Sequence, residues 1–577
     1  MRYRVRAVAI GALALSLVVA GCSKNSGSTG DNGGNQKQQA ITIDTKGTTP
    51  VPAPEIPGAK PGGTLTWLED GAIEHTDPGQ MYVTDAQSLA TLIYRTLTGY
   101  IEDPNGGPLK LVGDLATNTG EASNDNKTWT YHLRDGIKFD DGSTITSKDV
   151  AYGISRAFGT YGKNGPHYVQ LALDPDSKWT PDKGGTAPGI TTPDDKTIVF
   201  NFPQPHAETP YIMALNTSTP VPQAKDTGAK YEAEFVSMGP YMRDGTYDQQ
   251  TKLTLKKNPN WDPKTDPIRH QYPDKWVFDY SADRDAQTQR LIADQGADQG
   301  ALMVSAVAQS SIASVQADPN MMKRIIAGSS TFVDYLTINT SRVTDLKVRQ
   351  AINYAFDRGA YVTAVGGSAV AAPATTLESP QLPGWAKYDA YPSADGHGDI
   401  AKAKELLAGQ TPKLTLCEPN TPTYQKYSVI VQQALQRAGF QIVINPIDKT
   451  QYYTTIGDKK TTCDLMRYGW SADFPDAEAT LDVLFNGEKI VDTGNNNVAY
   501  FNEPTINKKL NDLAKQADRA AAATAYAELD KQMMTDYAPV VPNYIIKTFN
   551  LRGSKVGGTF LSPILANPNL VDAFYNG

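Results

Sequence analysis

The chain has 577 residues, a formal net charge of −8 and a sequence pI near 5.4. Its basic residues are scattered instead of clustered in a stripe, which excludes the electrostatic footprint typical of nucleic-acid binding. The length exceeds that of one ordinary domain, so we expect at least two lobes.

The N-terminus has the features of a bacterial export signal: basic residues, an apolar run and a Gly-Cys pair. The run, residues 7–20, is too short for a permanent membrane helix, which needs about 20 apolar residues. The sequence VAGC, residues 19–22, resembles a lipobox. We therefore expect a signal peptide over residues 1–21 and lipid anchoring at Cys22 on the extracytoplasmic face of the cell membrane. The alternative is an ordinary secretory signal with a chance cysteine.

Residues 22–60 are rich in Ser, Gly, Asn, Gln and, later, Pro. This composition cannot bury enough apolar surface to offset the entropy of ordering the chain. It predicts a flexible tether followed by a stiffer spacer, and the folded body should start near Pro61.

The N-terminal half predicts a mixed α+β lobe. Thr146 and Asp149 have capping-box spacing, which predicts a helix start at this point. Alternating apolar residues and flanking turn residues predict strands over residues 62–68, 129–133, 137–139, 197–202 and 253–255.

Beyond Ala301 the pattern changes to alternating strands and helices, typical of an α/β lobe. Gly439 is expected to end a helix inside a strand–helix–strand unit. The strand that begins at Cys463 should run parallel to its neighbour, so the residues after it lie where α/β sheets bind ligands. Strands are predicted over residues 335–339, 413–416, 441–445 and 463–470.

Two cysteines remain after Cys22, namely Cys417 and Cys463. In an oxidising location they could form a disulfide. Cys417 ends one predicted strand and Cys463 begins another that should run parallel, which places them at opposite ends of the sheet and argues against a bridge. Both alternatives stay open at this point.

Catalytic templates are absent from the sequence: it has no Gly-x-Ser-x-Gly elbow, no His-Glu-x-x-His pair and no phosphate-binding loop. The six histidines are isolated from one another, so no local pattern favours a metal site. Asp473 and Asp476 could form a glycosidase-like acid pair, but no other glycosidase signature accompanies them. We expect neither an enzyme nor a bound cofactor or metal.

Five sequence blocks, in this order, resemble the extracellular solute-binding proteins of dipeptide and oligopeptide ABC importers, family five. The resemblance extends from Pro61 to beyond Ala538. It implies a two-lobed clamp of the periplasmic-binding-protein type (type II, cluster C-like) that combines α/β and α+β parts, with an extra subdomain in the N-terminal lobe. The blocks are residues 128–158, 239–261, 348–358, 467–485 and 499–513.

The domain boundaries that follow are expectations from this resemblance. Lobe I, with its inserted subdomain, should span residues 61–302, and lobe II residues 303–546. Residues 547–577 should return to lobe I, and a ligand would lie between the lobes.

In peptide-binding members of this family, the aspartate of a Trp-x-x-Asp motif receives the α-ammonium group of the ligand. The resemblance therefore assigns that role to Asp473, with Trp470 as an apolar wall. Arg467 would receive a carboxylate or carbonyl group of the ligand, or alternatively brace Asp473 or Asp476. Gly469 would permit close backbone approach.

Two further expectations concern the surroundings of this motif. Residues 73–85 should contribute to the cleft from lobe I, although no single position matches a motif. Pro475 should end the strand, and Asp476, Glu478 and Asp482 should occupy the first turns of the next helix.

The function implied is that of a lipid-anchored, monomeric receptor that binds short peptides and delivers them to an ABC permease and its ATPase. One alternative is the same fold with another solute, such as an oligosaccharide or a metal chelate. The other is an exported hydrolase that uses Asp473 and Asp476.

Overall fold

The computed structural model describes residues 41–43, 45, 47–247, 249–449 and 451–577. The predicted signal peptide, the Cys22 lipidation site and the first part of the predicted tether lie outside the described residues. Among the helices of the described part, none is both long and apolar enough to cross a lipid bilayer.

The strands of the described residues form five sheets. In chain order they are β1 (Ile41–Ile43), β2 (Thr64–Leu68), β3 (Thr98–Ile101), β4 (Leu109–Gly113), β5 (Glu121–Ser123), β6 (Thr128–His132), β7 (Ile190–Asp194), β8 (Thr197–Asn201), β9 (Tyr241–Arg243), β10 (Lys252–Lys257), β11 (Lys275–Asp279), β12 (Ala301–Met303), β13 (Ile325–Ile338), β14 (Ala371–Pro373), β15 (Lys413–Pro419), β16 (Gln441–Ile447), β17 (Leu465–Trp470), β18 (Val540–Leu551), β19 (Val556–Gly557) and β20 (Phe574–Tyr575).

The described residues contain sixteen α-helices. In chain order they are α1 (Thr84–Ile93), α2 (Ser147–Arg156), α3 (Tyr168–Leu173), α4 (Thr209–Ile212), α5 (Tyr231–Glu234), α6 (Arg284–Ala293), α7 (Ile312–Ala317), α8 (Pro319–Met322), α9 (Leu346–Ala355), α10 (Arg358–Val365), α11 (Ile400–Leu407), α12 (Pro422–Ala438), α13 (Tyr452–Ile456), α14 (Glu478–Phe485), α15 (Pro504–Ala514) and α16 (Arg519–Asp536).

The first lobe is built on a five-stranded sheet with the order β12-β2-β11-β10-β9, in which β2 lies parallel to β11 and β12. A four-stranded antiparallel sheet, β5-β6-β8-β7, forms the inserted subdomain. Tyr131 and Phe200 of this subdomain belong to the same apolar core as Trp67 and Trp276 of the larger sheet. The subdomain is therefore part of the first lobe's core.

The capping box at the start of α2 is present as predicted. The carboxylate of Asp149 accepts hydrogen bonds from the backbone N–H of Thr146 at 2.8 Å and from its hydroxyl at 2.7 Å. The strand expected over residues 137–139 is reduced to an isolated bridge between Lys138 and Thr144. The N–H of Phe139 still donates to the carbonyl of Ser143, but that of Asp140 donates to the distant carbonyl of Ser237, so the hairpin pairing does not continue.

The second lobe contains a six-stranded sheet with the order β14-β18-β13-β17-β15-β16. β15 is parallel to β16 and to β17, which confirms the predicted strand–helix–strand unit. α12 connects β15 with β16 and ends at Gly439, whose φ of +111° is accessible to a residue without a side chain.

Two long antiparallel strands, β13 and β18, connect the lobes. Their register is irregular between Ser329 and Val333. Before this point, Val307 and Val315 pack with Leu68 and Leu551 in an apolar cluster of the first lobe. We therefore propose that the lobes meet at this irregularity, later than the 302/303 boundary expected from sequence.

The predicted tether, residues 22–60, is partly folded onto the first lobe. β1 pairs in parallel with β4. Thr49 is buried, its N–H donates to the carbonyl of Thr117 at 2.7 Å, and its hydroxyl accepts from the N–H of Gly113 at 3.0 Å. The folded body thus begins before Pro61, because a segment unable to form its own core can still add to an existing one.

Cys417 and Cys463 form a disulfide with a Cα–Cα distance of 5.7 Å, so the geometric argument against a bridge was wrong. β15 extends beyond Cys417, which leaves this residue inside its strand. The parallel register pairs Cys417 with Met466, and Cys463 lies just before β17. The stagger of the two strands brings the sulfur atoms together.

Candidate ligand-binding site

The stretch from Arg467 to Asp482 leaves the second-lobe sheet and reaches the first lobe. β17 ends at Trp470, and the hydroxyls of Ser471 and Thr331 lie 2.7 Å apart at the edge of the connecting strands. The residues that follow contact the first lobe before α14 begins. This path places Asp473 at the contact between the lobes.

The carboxylate of Asp473 is bound by tyrosine hydroxyls of the first lobe. The hydroxyl of Tyr168, at the start of α3, donates to Oδ2 of Asp473. The hydroxyl of Tyr82 donates as well. Burial raises the pKa of Asp473 to about 6, and the two hydroxyl donors oppose this increase. No Lys, Arg or His of the described residues forms an ion pair with this carboxylate.

An apolar contact between the lobes surrounds Asp473. The ring of Phe474 stacks on Tyr211 with a centroid distance of 5.7 Å, and it meets the ring of Tyr168 edge-on at 5.3 Å. Leu111 of the first lobe and Leu382 of the second belong to the same buried cluster. The cluster excludes water beside Asp473, which is the physical cause of its raised pKa.

Trp470 and Gly469 are held by the second lobe. The indole N–H of Trp470 donates to the carbonyl of Ala479 at 2.7 Å, and its ring stacks on Tyr468 with centroids 6.3 Å apart. A side chain at Gly469 would collide with the ring of Phe332. The ring of Phe332 thus fills the space beside this glycine, and a close backbone approach by a ligand stays a prediction.

Arg467 makes its contacts on the face of the sheet that α10 and α12 cover. Its guanidinium lies 2.5 Å from the carboxylate of Asp334 and 4.7 Å from the ring centre of Tyr424. The expected brace to Asp473 or Asp476 was wrong, because Asp334 takes that place. A contact between Arg467 and a ligand stays a prediction.

The remaining acids of the stretch have cationic partners within the second lobe. Asp476 and Glu478 bind Arg519 of α16 at 2.7 and 2.8 Å. Asp482 pairs with Lys489. Asp476 also accepts from the N–H of Glu478, as expected at a helix start. Within the described residues, no group of three or more His, Cys, Asp or Glu side chains is arranged to hold a metal ion.

A cavity of about 270 Å³ lies on the first-lobe side of Asp473. Its walls come from α1, from β3 and from the loops at residues 214–216 and 267–270. Residues 562–572, in the C-terminal segment, close it on another side. Of the described residues that line the cavity, Asp473 comes from the second lobe, and the others come from the first lobe and the C-terminal segment.

Sequence reasoning missed the first-lobe partners of Asp473. Tyr82 lies in the segment 73–85 that was expected to contribute to the cleft, although no motif distinguished it. Tyr168 is 305 residues away from Asp473 along the chain and carried no signal. An aromatic residue at a helix start is common, and only the packing of the lobes shows its role.

Comparison with known families gives a match over most of the chain. Residues 110–491 match the family described as "Bacterial extracellular solute-binding proteins, family 5 Middle". This range includes the stretch around Asp473 and most of both lobes.

Similar proteins match at low identity over most of their length. The probable D,D-dipeptide-binding periplasmic protein DdpA of Escherichia coli K12 is 24% identical over 487 residues, which cover 82% of this chain and 86% of that protein. The glutathione-binding protein GsiB of Pectobacterium atrosepticum is 25% identical, with 84% and 89% covered. Both names describe binding proteins, not enzymes.

Solved structures share the fold. Clavulanic acid biosynthesis oligopeptide binding protein 2 superposes with a TM-score of 0.85 at 28% identity, covering 93% of this chain and 99% of that one. The DppA protein of Helicobacter pylori, in complex with the peptide STSA, gives a TM-score of 0.69 at 20% identity, with 90% and 99% covered. These neighbours confirm the two-lobed clamp that the sequence predicts.

Proposed function

Because the chain belongs to the bacterial extracellular solute-binding proteins of family 5, we propose that it binds short peptides between its lobes and delivers them to an ABC importer. Asp473 receives the α-ammonium group of the peptide. The names of the relatives support peptide binding, since they describe dipeptide-, glutathione- and oligopeptide-binding proteins.

The observation that carries the proposal is the uncompensated carboxylate of Asp473. It lines a cavity at the lobe contact, and its recorded partners are neutral hydroxyls of the opposite lobe. Other carboxylates of the same stretch are already neutralised by Arg519 and Lys489. An ammonium group would form a charge-assisted hydrogen bond with Asp473 that is stronger than a neutral one.

The neighbours of Asp473 suit the rest of a peptide. Trp470 is partly buried and fixed by its indole N–H, and we expect it to offer a rigid apolar surface to a peptide held by Asp473. Tyr168 and Tyr82 connect the ammonium site to the first lobe. A ligand that touches both lobes favours the closed state by the contacts that it makes only there.

Replacing Asp473 by Asn tests this site. We expect peptide affinity to fall about tenfold or more, because a charge-assisted hydrogen bond is lost, while the melting temperature changes little. Calorimetry with a tripeptide library measures the affinity, and thermal unfolding measures the stability. Asp492→Asn makes the same charge change at an exposed position and should leave the affinity unaltered.

Equal peptide affinity of Asp473→Asn and the unsubstituted chain would contradict the role of Asp473. The identity of the solute is tested by mass spectrometry of whatever co-purifies with the protein. Recovery of a non-peptide solute, together with no response to the library, would overturn the peptide assignment.

We also propose that Cys22 is lipidated and holds a monomeric receptor on the extracytoplasmic face of the membrane. The lipobox-like sequence at residues 19–22 supports this. Cys22→Ser is expected to release the protein from the membrane fraction, which immunoblotting of the fractions detects. Continued retention in the membrane would contradict the lipid anchor.

A further inference from the structure

The cavity beside Asp473 contains a second carboxyl group, that of Glu102, at the end of β3. Its two oxygens accept hydrogen bonds from the C-terminal return segment. The hydroxyl of Ser562 donates at 2.7 Å, and the amide of Asn569 donates at 2.9 Å. Both donors are neutral, so the arrangement of Glu102 resembles that of Asp473.

Burial raises the pKa of Glu102, the hydrogen bonds from Ser562 and Asn569 oppose this increase and the nearby Asp572 adds to it, so that the resulting pKa is about 7. No cation is among the described groups that shift this pKa. A bound cation would restore its ionised form and be attracted to it in a site with little water.

The cations in the cavity wall are already bound to carboxylates of the first lobe. Arg269 pairs with Asp114 at 2.8 Å and with Asp266 at 3.3 Å. His270 lies 3.0 Å from Asp572. The charges left uncompensated in the cavity are therefore those of Asp473 and Glu102.

The size of the cavity restricts what it can enclose. Pockets that enclose whole drug-sized ligands measure about 300–1,000 Å³. This cavity, at about 270 Å³, suits one amino-acid residue of a peptide. Its lining includes many aliphatic side chains, which suits the methylene groups of a long side chain.

We propose that the site prefers peptides whose first residue is basic, with the α-ammonium group on Asp473 and the side-chain cation of that residue on Glu102. This specificity rests on the proposed peptide-binding function. Glu102 thereby determines which peptides are favoured, whereas Asp473 serves every peptide.

The test compares two probe tripeptides, Lys-Ala-Ala and norleucine-Ala-Ala. Their first side chains have similar length, and only the lysine carries a charge. The full chain is expected to bind Lys-Ala-Ala about tenfold or more tightly than the norleucine peptide, because one charge-assisted hydrogen bond is added. In Glu102→Gln this ratio should fall to within about twofold, while the affinity for the norleucine peptide is kept. Glu121→Gln, an exposed substitution of the same kind, should leave the ratio unaltered.

A purely structural Glu102, which only holds the return segment, gives a different result. The substitution Glu102→Gln would then weaken both peptides equally and leave their ratio unaltered, which would overturn the proposal. If neither peptide binds the unsubstituted chain, the proposed function itself has failed. If both bind with equal affinity, the peptide function stands and the basic specificity is wrong.

A second measurement requires no substitution. Lys-Ala-Ala should displace a proton from Glu102 at pH 7, since its cation favours the ionised carboxylate. Calorimetry in buffers of different ionisation enthalpy counts released protons, and more are expected for Lys-Ala-Ala than for the norleucine peptide. The groups that face Glu102 are Asp572, Ser562 and Asn569, and Asp572 is held by His270. Equal proton release for the two peptides would contradict the contact.

Discussion

Asp473 and Asp476 differ in their partners although only two residues separate them. Asp476 lies inside the second lobe, where the guanidinium of Arg519 binds it at 2.7 Å. Asp473 lies at the contact between lobes, where hydroxyls of Tyr168 and Tyr82 bind it. Asp476 has its countercharge within the same lobe, whereas Asp473 has no countercharge among the described residues.

The difference separates a contribution to stability from a contribution to binding. Removing one partner of a buried ion pair leaves an uncompensated charge in the protein interior, which destabilises the fold. A carboxylate that is bound only by neutral donors can instead accept a cation from a ligand. Substitutions on the two sides of Pro475 should therefore change different measured quantities.

Arg519→Met is expected to have the largest effect on stability. It leaves Asp476 and Glu478 buried without their cation and should lower the free energy of unfolding by about 3–5 kcal/mol. Urea unfolding measures this change. Adding Asp476→Asn and Glu478→Gln to the variant removes both charges and should restore part of the stability. An unaltered unfolding midpoint in Arg519→Met would contradict the stabilising role of the ion pairs that Arg519 forms with Asp476 and Glu478.

Glu418 extends the comparison to a carboxyl in the second lobe whose oxygens have no recorded hydrogen-bond partner in the described residues. Burial raises its pKa, Arg467 opposes this increase and Asp334 adds to it, so that the resulting pKa is about 8. The folded chain therefore keeps a proton that the unfolded chain has lost above pH 4.5, so stability falls as the pH rises towards 8. The fall contributed by Glu418 ends once the pH exceeds the folded-state pKa.

Between pH 6.5 and 8, the free energy of unfolding should fall by about 1–2 kcal/mol more in the unsubstituted chain than in Glu418→Gln. Urea unfolding at the two pH values measures the difference. Glu528→Gln, at an exposed position, is the matched control and should follow the unsubstituted chain. A Glu418→Gln variant with the same pH dependence as this control would contradict a buried, protonated Glu418.

Local patterns predicted much of the fold. Apolar alternation predicted β6 and β8, the capping box at Thr146 predicted the start of α2, and Gly439 predicted the end of α12. Each of these signals acts over a few residues and has a local physical cause. The same is true of the helix after Pro475, which the structure places at Glu478–Phe485.

Contacts between distant segments could not be predicted. The disulfide depends on the stagger of β15 and β17, which the strand pattern leaves undetermined. The pairing of Asp476 with Arg519 joins residues 43 positions apart, and that of Tyr168 with Asp473 joins residues 305 apart. For the site, the Trp470 to Asp473 motif drew attention to Asp473, whereas its tyrosine partners follow from the packing of the lobes.

Tyr168→Phe is expected to have the smallest effect, and it acts on Asp473 alone. The aromatic ring remains against Phe474, while one hydroxyl donor to the carboxylate is lost. Because that donor stabilises the ionised form, its loss raises the pKa of Asp473 above about 6. Peptide binding requires the ionised carboxylate, so affinity falls as the pH drops through this pKa.

The midpoint of that fall should move upwards by roughly 0.5–1 pH unit in Tyr168→Phe, which corresponds to one hydrogen bond of about 1 kcal/mol. Calorimetric titration of a tripeptide between pH 4.5 and 8 measures the midpoint. Tyr211→Phe is the matched control, because the ring of Tyr211 also packs on Phe474 while its hydroxyl has no recorded bond to Asp473. A shift of equal size in both variants would assign the effect to packing between the lobes. A shift in Tyr168→Phe alone identifies the ionised Asp473 as the group that binds the peptide.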